Sequence, residues 1–150
     1  MEKKRKILPM VYLFICLALL WVLQIYAPVQ QLIEPPLAFA GIVLVFFGIY
    51  MAAVSANRFV KAETGLIPFD EASTLVTGGF YRFTRNPMYL GMLLMLSGVA
   101  FMLGNVSGLL PLILFVLVIQ LNFIAGEERM LEAAFGQQYL DYKSSVRRWI

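Results

Sequence analysis

The 150-residue chain contains no histidine and a single cysteine, Cys16. Without histidine, Ser-His-Asp and Cys-His catalysis and every histidine-based metal site are excluded. A lone cysteine forms no intrachain disulfide, and its place inside an apolar run reads as a small buried hydrophobe. Charge is scarce too. Asp, Glu, Lys and Arg make up 14% of the residues and apolar types 61%, against about 25% and roughly 45–50% in soluble domains. A chain so short of polar surface cannot cover itself in water, so one integral membrane domain over residues 1–150 is the expectation.

Four apolar runs, about 7–27, 37–56, 88–103 and 109–125, read as transmembrane helices. The first follows the basic start Lys3, Lys4, Arg5 and Lys6, but it is too long for a signal peptide and lacks a small-residue cleavage site. The last two are short, covering roughly 25 Å of a ~30 Å core. Gly41 and Gly48 share one face of the second run, and Gly91 and Gly98 share one face of the third, where a neighbouring backbone can approach closely. Residues 57–86 are polar but dotted with Phe59, Phe69, Phe80, Tyr81 and Phe83, a pattern of a functional segment rather than of disorder. In the tail, 126–150, Leu131, Phe135, Tyr139, Tyr142 and Val146 recur at helical intervals, with Gly136 as a kink point. The fold class expected is all-α: four transmembrane helices plus a C-terminal amphipathic helix lying on the membrane or folding back over the middle loop.

Four crossings place both termini and the loop 57–87 on one side. All 12 Lys and Arg fall there: Lys3, Lys4, Arg5 and Lys6; Arg58, Lys61, Arg82 and Arg85; Arg129, Lys143, Arg147 and Arg148. The positive-inside rule makes that side cytoplasmic.

Two polar clusters face it. Arg82 and Arg85 stand three apart before the third span and suit either a carboxylate or phosphate held bidentately, or lipid headgroups. Asn86-Pro87 reads as N-cap and first helical residue, a place also suited to an anion. Glu127 and Glu128 close the fourth span. Two carboxylates at a membrane boundary need water beside Arg129, or a partner: one pairs with Arg82 or Arg85 while the other meets a cationic or hydroxyl-rich ligand. Gln120 and Asn122 precede them as a cavity wall or as interhelical hydrogen-bonding groups.

In order, Gly79-Phe80-Tyr81-Arg82-x-x-Arg85-Asn86-Pro87-Met88-Tyr89-Leu90-Gly91, then Glu127-Glu128 with Leu131, Phe135, Gly136, Tyr139, Tyr142, Val146 and Arg148, resembles the isoprenylcysteine carboxyl methyltransferases. The string is also similar to the related phospholipid N-methyltransferases. The resemblance covers about Leu75 to Ile150; the first two spans match only in character. It implies a membrane methyltransferase using S-adenosylmethionine, bound at the cytoplasmic ends of the last two spans and covered by the tail. Carried over, Arg82, Arg85, Asn86, Pro87, Tyr89 and Gly91 fall in the cofactor segment, Glu127 and Glu128 form the acidic pair, and Tyr139, Tyr142 and Arg148 belong to the covering tail. The implied acceptor is lipid-like or a small hydrophobic molecule, with no metal and no nucleic acid. Arg85 and Glu128 are the candidate catalytic pair, Glu128 serving as base should the acceptor be neutral. The family commonly has histidine where this chain has Asn86, which can hydrogen-bond but cannot act as a base. Two alternatives are an NADPH-dependent enzyme like the sterol reductases, which share a similar arginine–proline–tyrosine and tail pattern, and a non-catalytic membrane subunit.

Overall fold

A computed structural model describes residues 8–63 and 73–150. The basic cluster Lys3 to Lys6 and the loop residues Phe69, Asp70 and Glu71 lie outside the described residues. Among the described residues the chain is helical and contains no strand, only isolated bridges. The helices are α1 (Pro9–Tyr26), α2 (Gly41–Lys61), α3 (Pro87–Leu103), α4 (Leu109–Ile119), α5 (Ala125–Phe135) and α6 (Gln137–Ser145). A π-helical turn, Gln120–Ile124, joins α4 to α5 without a break. Three helical stretches are long and apolar enough to cross a membrane: Pro9–Tyr26, Leu37–Lys61 and Val106–Phe135. Pro87–Leu103 is a shorter apolar helix of 17 residues.

Helix α3 is the hub. It packs along α2 on one side and against α1 and α4 on the other. The α2–α3 seam is built from the two glycine pairs, each meeting its counterpart. A Cβ on Gly41 would lie 2.4 Å from the Gly98 carbonyl oxygen, and one on Gly48 2.5 Å from that of Gly91. The converse substitutions meet Gly41 and Gly48 at 2.5 and 2.6 Å. Pairing 41 with 98 and 48 with 91 makes the helices antiparallel. Between apolar helices in lipid, dispersion contacts at this backbone-to-backbone distance replace the hydrophobic effect as the source of association.

On the other side, Leu13, Cys16 and Leu20 of α1 meet Tyr89 and Leu96 of α3 and Phe115, Ile119 and Phe123 in one buried cluster. Cys16 is a core residue, as its apolar setting indicated. Outward, Phe14, Trp21, Val43, Phe46, Ile113, Leu117 and Leu121 are exposed. Bare apolar side chains on this scale suit contact with lipid and not with water.

The two ends of the bundle are finished differently. At one end the loop after α1 is tied to the α3–α4 hairpin: Leu32 N–H donates to the Gly104 carbonyl at 2.8 Å, and the Gln31 side chain to the carbonyls of Ile33 and Leu103 at 2.8 and 3.0 Å. Gly104 caps α3 at φ +70, where a side chain would be strained. At the other end α2 runs on to Lys61, beyond the boundary at 56 that its apolar run indicated, so Arg58 and Lys61 are helical. The returning chain forms a 3₁₀ turn, Gly79–Arg82, docked on α2 through Phe80 against Phe47 and Tyr50, and Tyr81 against Phe59. Phe59, Phe80 and Tyr81 of the polar segment are thus anchors, whereas Phe83 is exposed.

The tail differs from the single amphipathic helix expected. α5 continues the fourth apolar helix, and Gly136, at φ +50, turns the chain into α6. Of the five-residue stripe only Tyr139 is fully buried. The reversal, not one long surface helix, brings residues 147–149 back over the start of α3.

Candidate functional site

Thr84-Arg85-Asn86 and the tail residues 147–148 lie side by side. Arg85 N–H donates to the Arg147 carbonyl at 2.8 Å, and Thr84 bridges Arg147 in a parallel sense. The Arg148 carbonyl accepts twice, from Thr84 Oγ1 at 3.1 Å and Asn86 Nδ2 at 2.9 Å. Asn86 holds the N-cap position of α3 and Pro87 opens the helix, but the Asn86 side chain makes no capping bond. Its amide is committed to the tail.

Glu128 is the centre of the cluster. Arg148 grips it as a fork, Nε to Oε1 at 2.8 Å and Nη2 to Oε2 at 2.6 Å. Arg85 Nη2 stands 3.4 Å from Oε1. The Glu128 and Arg85 side chains are each 9% exposed and that of Arg148 36%. Burial opposes ionisation of Glu128, but the hydrogen bonds from Arg148 and the charges of Arg85, Arg148 and Lys143 outweigh it and hold the carboxyl below its ordinary value. Arg85 is only partly satisfied: Nε and Nη1 are buried and make no well-formed hydrogen bond among the described residues, although the Tyr139 hydroxyl stands close enough to interact with the guanidinium. A buried cationic donor without an acceptor is costly.

Glu127 points elsewhere, accepting a hydrogen bond from Tyr89 Oη at 2.7 Å. Tyr139 and Tyr142 meet as tilted rings, 6.2 Å between centres, and Tyr142 Oη donates to the Tyr81 carbonyl at 2.7 Å. Burial and the nearby Glu128 push the Tyr139 phenol up to about 12, with Arg85 opposing. The π-helical turn faces Gln120 to the tail, where Gln120 Oε1 accepts from Trp149 Nε1 at 3.0 Å. Such turns gather at functional positions because they re-aim side chains. Asn122, by contrast, is exposed and bonds one turn back to the Val118 carbonyl at 3.1 Å.

The structure therefore gathers Arg85, Asn86, Glu127, Glu128, Tyr89, Tyr139, Tyr142 and Arg148 at one end of the bundle. Two expected residues stand apart. Arg82 is exposed on the 3₁₀ turn, outside the cluster. Gly91 lies in the α2–α3 seam against Gly48 and Ala52. Thr84, Tyr81 and Trp149 belong to the cluster but were not singled out as site residues in the sequence, since their partners are remote along the chain; Gln120, read there as a cavity-wall or hydrogen-bonding group, bonds the tail. An apolar cavity of about 250 Å³ lies among Leu32, Leu44, Phe101 and Leu112, at the opposite end from these charges. Among the described residues no group of three or more metal-ligating side chains forms.

Fold and site together define a small helical membrane protein with an arginine–carboxylate cluster covered by its own C-terminal tail. The chain belongs to the phospholipid methyltransferase family, whose model matches residues 36–138. It is 32% identical over 108 residues to protein-S-isoprenylcysteine O-methyltransferase A of Arabidopsis thaliana, covering 71% of this chain and 55% of that one. It is 31% identical over 121 residues to protein-S-isoprenylcysteine O-methyltransferase of Rattus norvegicus, covering 73% of this chain and 39% of that one. An uncharacterized protein of Haemophilus influenzae is 48% identical over its whole length, matching 63 residues here. The chain thus spans about half or less of the two methyltransferases. No solved structure matches. These relatives favour a methyltransferase over the reductase and subunit alternatives.

Proposed function

We propose that the protein is an S-adenosylmethionine-dependent methyltransferase with four membrane crossings, its site on the cytoplasmic side, acting on a lipid-like or small hydrophobic acceptor. The observation that carries this is Arg85: a buried guanidinium with one edge on Glu128 and two donors unanswered. Those N–H groups suit anionic oxygen, and the methyl donor has a carboxylate at its amino-acid end. Family membership supplies the reaction class.

Bound there, S-adenosylmethionine would supply an activated methyl group on a sulfonium. The chain's own residues bind, orient and exclude water. Arg85 holds the carboxylate, Glu128 positions Arg85 and Arg148, and Tyr89 fixes Glu127. Held ionised by two arginines, Glu128 is a positioning group and a poor proton acceptor. The tail over Thr84–Asn86 shields the pocket, as in-line transfer needs fixed geometry more than acid–base help. An acceptor with a hydrophobic body reaches this level from the bilayer along the apolar helices.

The Arg85–Glu128 contact also supports four crossings. Since the starts of α3 and α5 meet, whatever height the chain gains along α3 it loses along α4. Both termini of that hairpin then share a side with the described basic residues, Arg58, Lys61, Arg82, Arg85, Arg129, Lys143, Arg147 and Arg148. Calorimetry on purified protein in detergent is expected to show one S-adenosylmethionine site. Arg85→Lys, which keeps the charge but loses the Nε and Nη1 donors, weakens it by about 2 kcal/mol, roughly 30-fold. Absence of binding by the intact protein rejects the proposal.

A further inference from the structure

Arg85 is not the only buried group left unanswered at this end of the bundle. Tyr81 is 5% exposed, and its hydroxyl meets no hydrogen-bond partner among the described residues. Its position is nonetheless tightly determined. The ring lies 5.6 Å from that of Phe59 on α2, and its carbonyl accepts the Tyr142 hydroxyl at 2.7 Å. A tyrosine pinned at ring and backbone, with its hydroxyl buried and unused, loses free energy that phenylalanine would not.

The surroundings say what the hydroxyl would meet. Burial comes first, then Tyr142 and Glu127, in holding the phenol well above its ordinary range, so it stays protonated and neutral. Glu127 is within electrostatic reach and carries the Tyr89 hydroxyl on Oε1. Tyr81, Tyr89 and Glu127 thus bring oxygens, one of them a carboxylate, within electrostatic reach of one another, while the guanidinium of Arg85 is paired with Glu128. An anion belongs at Arg85. The oxygen side suits positive charge, whose field phenol oxygens and a carboxylate stabilise.

We propose that Tyr81 is a ligand-binding residue of the methyl-donor site, its hydroxyl oxygen forming, with Tyr89 and Glu127, the pole that takes the donor's cationic sulfonium. This rests on the methyltransferase reading and goes beyond it. It adds a residue and assigns it discrimination between the charged donor and the uncharged thioether left once the methyl has gone. A pole that favours the sulfonium favours loading and weakens hold on the spent cofactor.

The test is Tyr81→Phe in the full-length protein, with S-adenosylmethionine and S-adenosylhomocysteine as calorimetric probes and unliganded thermal midpoints beside them. The variant is expected to bind S-adenosylmethionine about tenfold more weakly, S-adenosylhomocysteine within about threefold of the original, and to melt no lower without ligand. Equal losses for both ligands, or none, overturn the assignment while leaving the methyltransferase reading intact. A lowered unliganded midpoint also overturns it, since the hydroxyl would then serve the fold. Absence of S-adenosylmethionine binding by the unaltered protein removes the methyltransferase reading, and this inference with it.

Discussion

Glu128 holds two arginines from different parts of the chain, so its removal is felt on both sides. Glu128→Gln leaves Arg85 buried without a counter-charge and cuts the Arg148 fork. Breaking one partner of a buried pair costs about 3–5 kcal/mol, and the lower end applies because Arg148 is partly exposed. The expected result is a lower thermal midpoint together with loss of S-adenosylmethionine binding. The carboxyl also makes the closure pH-sensitive. Its folded value lies below the ordinary 4.5, so the stability it contributes is complete above that value and is lost as pH falls through the depressed one. The protection factor of the amides at residues 145–149, taken against the intrinsic exchange rate at each pH and followed downward from pH 6, is expected to fall only below about 4.5, and Glu128→Gln to remove that step.

Asn86 shows where residue-scale inference from the sequence stopped. Its position before Pro87 was legible as a helix start, and the structure agrees. Its side chain, however, donates to a carbonyl 62 residues away. A donor is all this geometry asks, and a histidine ring N–H supplies one as well. Asn86→His is therefore expected to keep tail protection in amide exchange. Asn86→Leu loses about 1 kcal/mol there.

At the scale of elements, the glycine faces of α2 and α3 were visible as spacing, but their pairing was not. Seven-residue repeats state that each helix has a slim face and leave open which partner it receives. The structure pairs 41 with 98 and 48 with 91. In Gly48→Ala the new Cβ meets backbone, the Gly91 oxygen at 2.5 Å and Met95 nitrogen at 2.8 Å, so a whole helix must shift. The expected loss is about 2–3 kcal/mol, read as a lowered midpoint in detergent. Gly136→Ala differs: nothing lies within 4 Å, and the cost is that of φ +50, about 1–2 kcal/mol. That cost falls on the tail reversal, so amide exchange is expected to quicken in α6 and residues 145–149 while the bundle stays protected. The tail turns at this same residue, the kink point that its sequence offered. A stripe at helical spacing is equally compatible with one helix or with two that share a facing direction, and only a positive φ at Gly136 separates them.

For the whole molecule, the contact between the start of α3 and the start of α5 sets the topology. It predicts that Ser144 and the segment before α3 share one side and that the loop after α1 faces the other. With Cys16→Ala as background, an impermeant maleimide is expected to reach Ser144→Cys from the cytoplasmic side and Val29→Cys from the opposite side. Labelling of both from one side would contradict four crossings.

Apolar composition, the lengths of the runs and the one-sided placement of basic residues are additive properties of the chain. They determined by themselves an all-helical membrane protein and the end of it that carries charge, because a bilayer sorts residues by solvation energy whatever their partners. The ordered motifs likewise named the family. Which arginine packs against the acidic pair was decided only in three dimensions. Arg82 and Arg85 are equivalent as charges, yet one is exposed on a 3₁₀ turn and the other lies under the returning tail against Glu128. Tyr81, Thr84, Gln120 and Trp149 join the site through contacts with residues remote along the chain. Their roles come from desolvation and hydrogen-bond geometry, which exist only once the chain has closed on itself.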